Sequence, residues 1–217
     1  MEVTEKQLPI RNILFFDIET SGLNIKEDKI LQISGFLYDY TGQNKDLKEQ
    51  TKFDVYIDPR KDFSNNNTNF NLNISEDASN LHGITIEYLD KNLDKTMSLK
   101  EFYETIFKNI LIGDKNNPTN ALGTYNGTTF DIPFLIENLK SIGYDGSEIE
   151  KLFLGLYNID SYFIETRLTS RKLEDVYEKY TGNSLNSAHN SLFDIEATLE
   201  VFKNQFSLTK FDEPSMI

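Results

Sequence analysis

The chain has 217 residues, enough for one domain of ordinary size with a substantial buried core. Its 35 acidic against 22 basic residues give a net charge of −13, which argues against tight sequence-independent binding along nucleic acid but leaves a nucleic-acid end open as a ligand. The absence of cysteine excludes a disulfide framework and a thiolate metal site, and with no apolar leader in MEVTEKQLPIRN and no membrane-length apolar run the expectation is an intracellular, cytoplasmic protein without membrane association.

Residues 12–18 (NILFFDI) form a continuous apolar run of branched and aromatic side chains, as in the middle of a covered sheet. Two further strands are predicted at 29–40 and 50–57, with Tyr40-Thr41-Gly42 opening the turn between them, so the early chain reads as an antiparallel meander. The Asn-rich stretch 61–75 lacks periodicity and reads as a loop or mobile insertion. Ser98 and Glu101 match a capping box, and Leu99, Phe102, Tyr103, Ile106, Phe107, Ile110 and Leu111 follow on one helical stripe. A strand at 120–125 precedes a helix marked by Ile132, Leu135, Ile136, Leu139 and Ile142 that stops at Gly143. A weaker strand near 156–161 leads to helices at about 171–181 and 190–206, and the last carries Leu192, Ile195, Leu199, Phe202 and Phe206 on one side. These elements predict a mixed α/β domain over 1–206, with a tail at 207–217.

Three clusters carry chemistry. Asp17 and Glu19 are two apart on a predicted strand, so both project from one face, and the following Thr20-Ser21-Gly22 turn lets backbone approach a ligand. Asp131 begins a helix, where a carboxylate also suits the positive end of the dipole. His189 precedes the last helix and Asp194 follows five residues later. Each carboxylate lies beside an apolar run, and buried carboxylates that converge repel one another unless a cation neutralises them. Oxygen-only ligation favours Mg²⁺ or Mn²⁺ over zinc. Each cluster alone has a plainer reading, as a strand end, a helix cap or a helix-entry histidine. Arg167, Arg171 and Lys172 form a basic cluster that suits either phosphates or a solvated helix start.

In order and spacing the three clusters resemble the DnaQ-like 3′→5′ exonucleases, the histidine-containing DEDD branch of the ribonuclease-H-like superfamily, over nearly the whole chain. The motifs are Asp17-Ile18-Glu19, Asn126 to Asp131 and His189 to Asp194, with Thr20 to Leu23, His82 to Thr85 and Asp160-Ser161 as collateral matches. Three residues stand between Asn126 and Phe130, and Tyr125 precedes them. That form is more similar to three-prime repair exonucleases and family B proofreading domains than to polymerase III epsilon-type subunits.

The resemblance implies a central five-stranded mixed sheet flanked by helices. It implies two Mg²⁺ or Mn²⁺ ions held by Asp17, Glu19, Asp131 and Asp194, with His189 as general base. Thr20, Gly22, Leu23, His82, Asn126 and Phe130 would contact substrate. The implied reaction is release of nucleoside 5′-monophosphates from single-stranded or frayed DNA 3′ ends. The alternatives are an RNA-trimming, oligoribonuclease-like enzyme and a catalytically silent binding module. A polymerase is a possible partner. So is a sliding clamp, which Gln205, Leu208 and Phe211 would meet unless Phe206 and Leu208 instead finish the core of the last helix and the rest frays.

Overall fold

The computed structural model describes residues 10, 12–40, 47–63, 70–112, 121–165, 168, 170–185 and 191–208. Strands β1 (Asn12–Thr20), β2 (Ile30–Tyr40) and β3 (Leu47–Ile57) form the expected meander. A single turn, α1 (Arg60–Phe63), and two short helices, α2 (Glu76–His82) and α3 (Ile86–Lys91), lead to β4 (Thr96–Met97). Helix α4 (Leu99–Phe102) passes through a π-helical turn at Tyr103–Phe107 into α5 (Lys108–Ile112). Then follow β5 (Ala121–Thr124), α6 (Asp131–Ser141), α7 (Gly146–Leu154), β6 (Tyr157–Asp160), α8 (Ser161–Ile164), α9 (Leu173–Thr181) and α10 (Ser191–Leu208).

Among the described residues the sheet runs β4-β3-β2-β1-β5-β6 and has six strands, where five were expected. The added member is β4, two residues paired parallel to β3 through Tyr56 to Thr96 and Ile57 to Met97, too short to leave a pattern in the sequence. β1 lies inside the sheet, antiparallel to β2 and parallel to β5. Alternation along β1 divides the core. Leu14, Phe16 and Ile18 face one cluster with Phe102, Phe107, Phe134 and Leu135, while Ile13 and Phe15 face Ile195, Leu199 and Phe202 of α10. The ring centroids of Phe15 and Phe202 lie 5.1 Å apart, in the edge-to-face arrangement that aromatic pairs favour.

Ser98 caps α4 as predicted, its Oγ accepting from the Glu101 amide. Several elements depart from expectation. α7 replaces a segment with no predicted structure, and its start is held by Asp145, whose Oδ1 accepts from the amides of Ser147 and Glu148. Part of the Asn-rich stretch is packed: Leu72 is buried with Leu31, Ile84 and Leu89, and the rings of Phe63 and Phe70 stack at 4.4 Å. The last helix continues to Leu208, and Gln205, the first residue of the clamp-like pattern, is buried and donates through Nε2 to the Ser161 carbonyl at 3.1 Å. Thr41-Gly42 and residues 209–217 lie outside the described residues. No helix of the described residues is long and apolar enough to cross a membrane.

Candidate active site

β5 pairs with β1 only as far as Phe15, opposite Gly123. Among the described residues no strand pairs with β1 on this side beyond that point, and Asp131, the first residue of α6, meets it there: its Oδ1 accepts from the Ile18 amide at 3.1 Å. The carboxylate of the second motif is thereby fixed to the backbone between the two carboxylates of the first. Asp131 also lies in the first turn of α6, with Phe130 at the cap position, so its placement at the positive end of the dipole accompanies this bond.

On the α10 side of the sheet, ligand oxygens of Asp17, Glu19 and Asp194 lie within 4.8 Å of one another. Glu19 and Asp131 are buried, and Asp17 is partly so. Burial and mutual repulsion have the expected electrostatic consequence. The Asp17 carboxyl is pushed well above its usual range, first by burial and then by Asp131, Glu19 and Asp194. Glu19 is pushed up to about 8, by burial, Asp194 and Asp131, and Asp131 to about 7, chiefly by burial and against the pull of the Ile18 amide. Oxygen donors that are buried, close together and reluctant to ionise fit a hard divalent cation, whose charge removes the repulsion.

The turn between β5 and α6 is clasped from β6. Asp160 accepts from the Asn126 amide through Oδ1 at 2.7 Å and from the Thr128 amide through Oδ2 at 3.0 Å, while Oδ1 also takes the Tyr162 amide at 3.1 Å. Asn126 has φ 62°, the left-handed conformation that asparagine tolerates, and its Oδ1 accepts from Thr129 Oγ1. At Gly127 a Cβ would lie 2.6 Å from Thr124 Cβ and 2.9 Å from Asp131 Oδ2, so glycine is what lets this turn close over the carboxylate. Phe130 packs on the main core, its ring 5.0 Å from that of Phe134.

The turn after β1 is equally determined. A β-bulge falls between Glu19 and Thr20, where such irregularities re-aim a strand. Gly22 sits against Asp28, with its would-be Cβ 2.4 Å from Oδ2, and Asp28 accepts from Ser21 Oγ and the Asn24 amide. Leu23 projects from this turn with 83% of its surface exposed. His82 Nδ1 accepts from the Ile84 amide at 3.0 Å, so Nε2 carries the proton and donates to the Thr20 carbonyl, also at 3.0 Å. Burial lowers its pKa, consistent with a neutral ring. Both nitrogens of His82 are thus spent on backbone, which leaves only the ring itself to meet a sugar or base.

The structure therefore brings together Asp17, Glu19, Asp131 and Asp194, with Thr20, Gly22, Leu23 and His82 at the turn after β1 and Asn126 and Phe130 in the turn that delivers Asp131. His189 and Arg167 lie outside the described residues. Arg171 stacks its guanidinium 4.3 Å from the Tyr162 ring centroid, and Lys172 is largely exposed. Sequence reasoning assigned no role to Asp160, although Asp160-Ser161 was noted. It also missed Gln32, Ser34 and Ser191, all buried and polar; two polar residues alternating inside the apolar run ILQISGF were the available signal.

The fold is of the ribonuclease-H-like type, and sequence comparison supplies the family. The profile of the exonuclease family RNase_T matches residues 14–202, and the chain belongs to that family, the DnaQ-like DEDDh 3′→5′ exonucleases. Among curated relatives it is similar to the PolC-type DNA polymerase III of Ureaplasma parvum, 25% identical over 98% of this chain and 13% of that protein, and of Clostridium perfringens, 24% identical over 90% of this chain and 11% of that protein. The chain thus spans about an eighth of the length of these relatives. Among solved structures, Exonuclease I of Methylocaldum szegediense superimposes with TM-score 0.68 at 18% identity, covering 92% of this chain and 41% of that one. The E. coli Exonuclease I complex with single-stranded DNA, in its zinc-bound form, gives 0.68 at 18% identity over 91% and 41%.

Proposed function

We propose that this chain is a metal-dependent 3′→5′ exonuclease that removes nucleoside 5′-monophosphates from single-stranded or frayed DNA ends. The observation that carries the reading is the convergence of Asp17, Glu19 and Asp194 oxygens within 4.8 Å, with Asp131 tied to the same strand. Asp17, Glu19 and Asp194 would hold Mg²⁺ or Mn²⁺, with Asp131 helping to place a second ion. When bound, such ions lower the pKa of water and neutralise charge at the scissile phosphate.

The chain's own groups account for the rest. His189 takes the proton of the attacking water, for which an unperturbed pKa of about 6.5 is suited near neutrality. The water oxygen bonds to phosphorus as the bond to the 3′-oxygen breaks, and the departing 3′-oxygen takes a proton from solvent and remains on the shortened strand as a hydroxyl. The exposed Leu23 side chain wedges beside the terminal base, while the Thr20 and Gly22 backbone lines the terminal nucleotide. Entry of that nucleotide requires unpairing, which costs a few kcal/mol and least at a mismatched or frayed end.

DNA is favoured over RNA because the PolC-type relatives are named as DNA polymerases and the Exonuclease I neighbour is a single-stranded DNA complex. The same relatives favour work inside the cell beside or within a polymerase, which would supply by tethering what the acidic surface denies. A clamp-binding tail has less support, since Gln205 is committed to the α8 end of the core. The test is digestion of end-labelled single-stranded DNA, mismatched duplex and short RNA with Mg²⁺. Release of mononucleotides from the 3′ end, fastest on single-stranded DNA, is expected. Faster digestion of short RNA would move the assignment to RNA trimming, and no digestion of any of the three would leave a silent module.

A further inference from the structure

Beside the carboxylates, on the same face of the sheet, lies a row of buried polar groups where the neighbouring positions are apolar. Register places Ser34 of β2 directly opposite Asp17 and Gln32 opposite Glu19, and Asp54 of β3 opposite Ser34. Directly paired residues of an antiparallel ladder share a face. One step further along, the same face carries Phe15 against Phe36 and Ile13 against Tyr38, an apolar layer under α10. Gln32, Ser34 and Ser191 are each at most 1% exposed.

These groups are bonded into a chain. Asp54 Oδ1 accepts from Gln32 Nε2 and from Ser34 Oγ, both at 2.7 Å. A hydroxyl has one proton to give, so with that of Ser34 directed to Asp54, the Ser191 hydroxyl is the donor in the 2.5 Å contact between Ser191 Oγ and Ser34 Oγ. Ser191 is the first residue of α10, and Asp194, three residues on, stands one turn later on the same side of the helix. The route therefore runs from an exposed anchor on β3, through the residue opposite Asp17, to the helical turn that delivers Asp194.

We propose that Ser191, Ser34 and Asp54 are positioning residues: their hydrogen-bonded chain pins the first turn of α10 to the sheet and sets Asp194 at metal-holding distance from Asp17 and Glu19. The apolar contacts of α10, from Leu192 and Ile195 to Phe202 on Phe15, resist sliding only weakly, because apolar burial is non-directional. A buried hydroxyl pair is directional. It is satisfied in one placement of the helix, and a rotation or a shift along the axis leaves the buried Ser191 hydroxyl without its acceptor. Replacing both hydroxyls by apolar groups is close to neutral for stability, so stability alone gives little reason for the pair to be there.

The inference rests on the metal reading of the carboxylates, and the test separates the two. Mn²⁺ is titrated calorimetrically into the full chain and into Ser191→Ala, Ser34→Ala, the double variant and Asp54→Ala, and each is melted without metal. Ser191→Ala and Ser34→Ala should each weaken Mn²⁺ binding about tenfold, the lower edge of the effect of removing supports behind metal ligands. The double variant should lose no more than either single, because the two share one bond. Asp54→Ala, an exposed change that leaves the core intact, should shift affinity in the same direction by a smaller factor. Unchanged Mn²⁺ affinity in the single variants, whatever happens to their melting temperatures, overturns the positioning role. Losses that add in the double variant also overturn it. If the wild-type chain takes no Mn²⁺, the metal reading fails and the inference falls with it.

Discussion

Stripping divalent cations with EDTA and raising the pH from about 6 to about 8 should destabilise the protein. The Glu19 carboxyl stands at about 8 in the fold against 4.5 when free, so between those values the native state holds a proton that the unfolded chain has lost. Its contribution is complete below about 4.5 and is lost as the pH climbs to about 8. Each pH unit of that window is worth at most about 1.4 kcal/mol for one group, so Glu19 alone contributes up to roughly 3 kcal/mol between pH 6 and 8. Asp131, at about 7, acts in the same direction, but the carboxylates share one repulsion and their effects do not multiply. His82 works oppositely, its lowered pKa favouring the fold as the pH rises, and that effect ends near 6.5. At about 2–4 °C per kcal/mol for a domain of this size, the melting temperature should drop by about 6–12 °C across the window. Scanning calorimetry in EDTA measures it directly. Saturating Mg²⁺ should abolish the slope, because the metal holds the carboxylates ionised. A flat or rising melting temperature in EDTA, or an unaltered slope in Glu19→Gln, would refute the electrostatic account of the cluster.

Three further outcomes are expected. His189→Ala should lower turnover by about 10²- to 10⁴-fold in single-turnover assays while leaving calorimetric Mn²⁺ affinity nearly unchanged; loss of metal binding would show a ligand and not a base. Gly127→Ala should destabilise by about 1–3 kcal/mol in denaturant melts and depress turnover as well, since the new methyl meets Thr124 and Asp131 Oδ2. Leu23→Ala should leave stability within about 0.5 kcal/mol, the side chain being exposed, yet slow digestion of duplex ends more than of single strands in a side-by-side rate comparison.

The active-site strand was legible because its signal is local. Four apolar residues before Asp17 announce a buried strand, and the period of two puts Glu19 beside it. The helix after Asp131 and the capped helix at Ser98 were equally plain, since caps and stripes lie within a few residues. What escaped depends on partners distant in sequence. β4 exists only because β3 is there to pair with two residues, and Leu72 is buried only because α2 and α3 fold a loop back onto Leu31. Asp131 reads as a cap in the sequence, yet its decisive bond is to an amide 113 residues away. Gln32 and Ser34 look like ordinary polar interruptions until register sets them opposite Glu19 and Asp17. The family pattern names the carboxylates, but only the fold brings Ser34 and Gln32 beside them.

Digestion of 5′-labelled single-stranded DNA by the wild-type chain and by Asp17→Asn, with Mg²⁺ and with EDTA, tests the central claim most directly. The wild type with Mg²⁺ should give a ladder shortening from the 3′ end, EDTA should stop it, and Asp17→Asn should be slower by on the order of 10³-fold or more. Near-full turnover by Asp17→Asn, or shortening that persists in EDTA, would contradict a metal-dependent exonuclease centred on this carboxylate cluster.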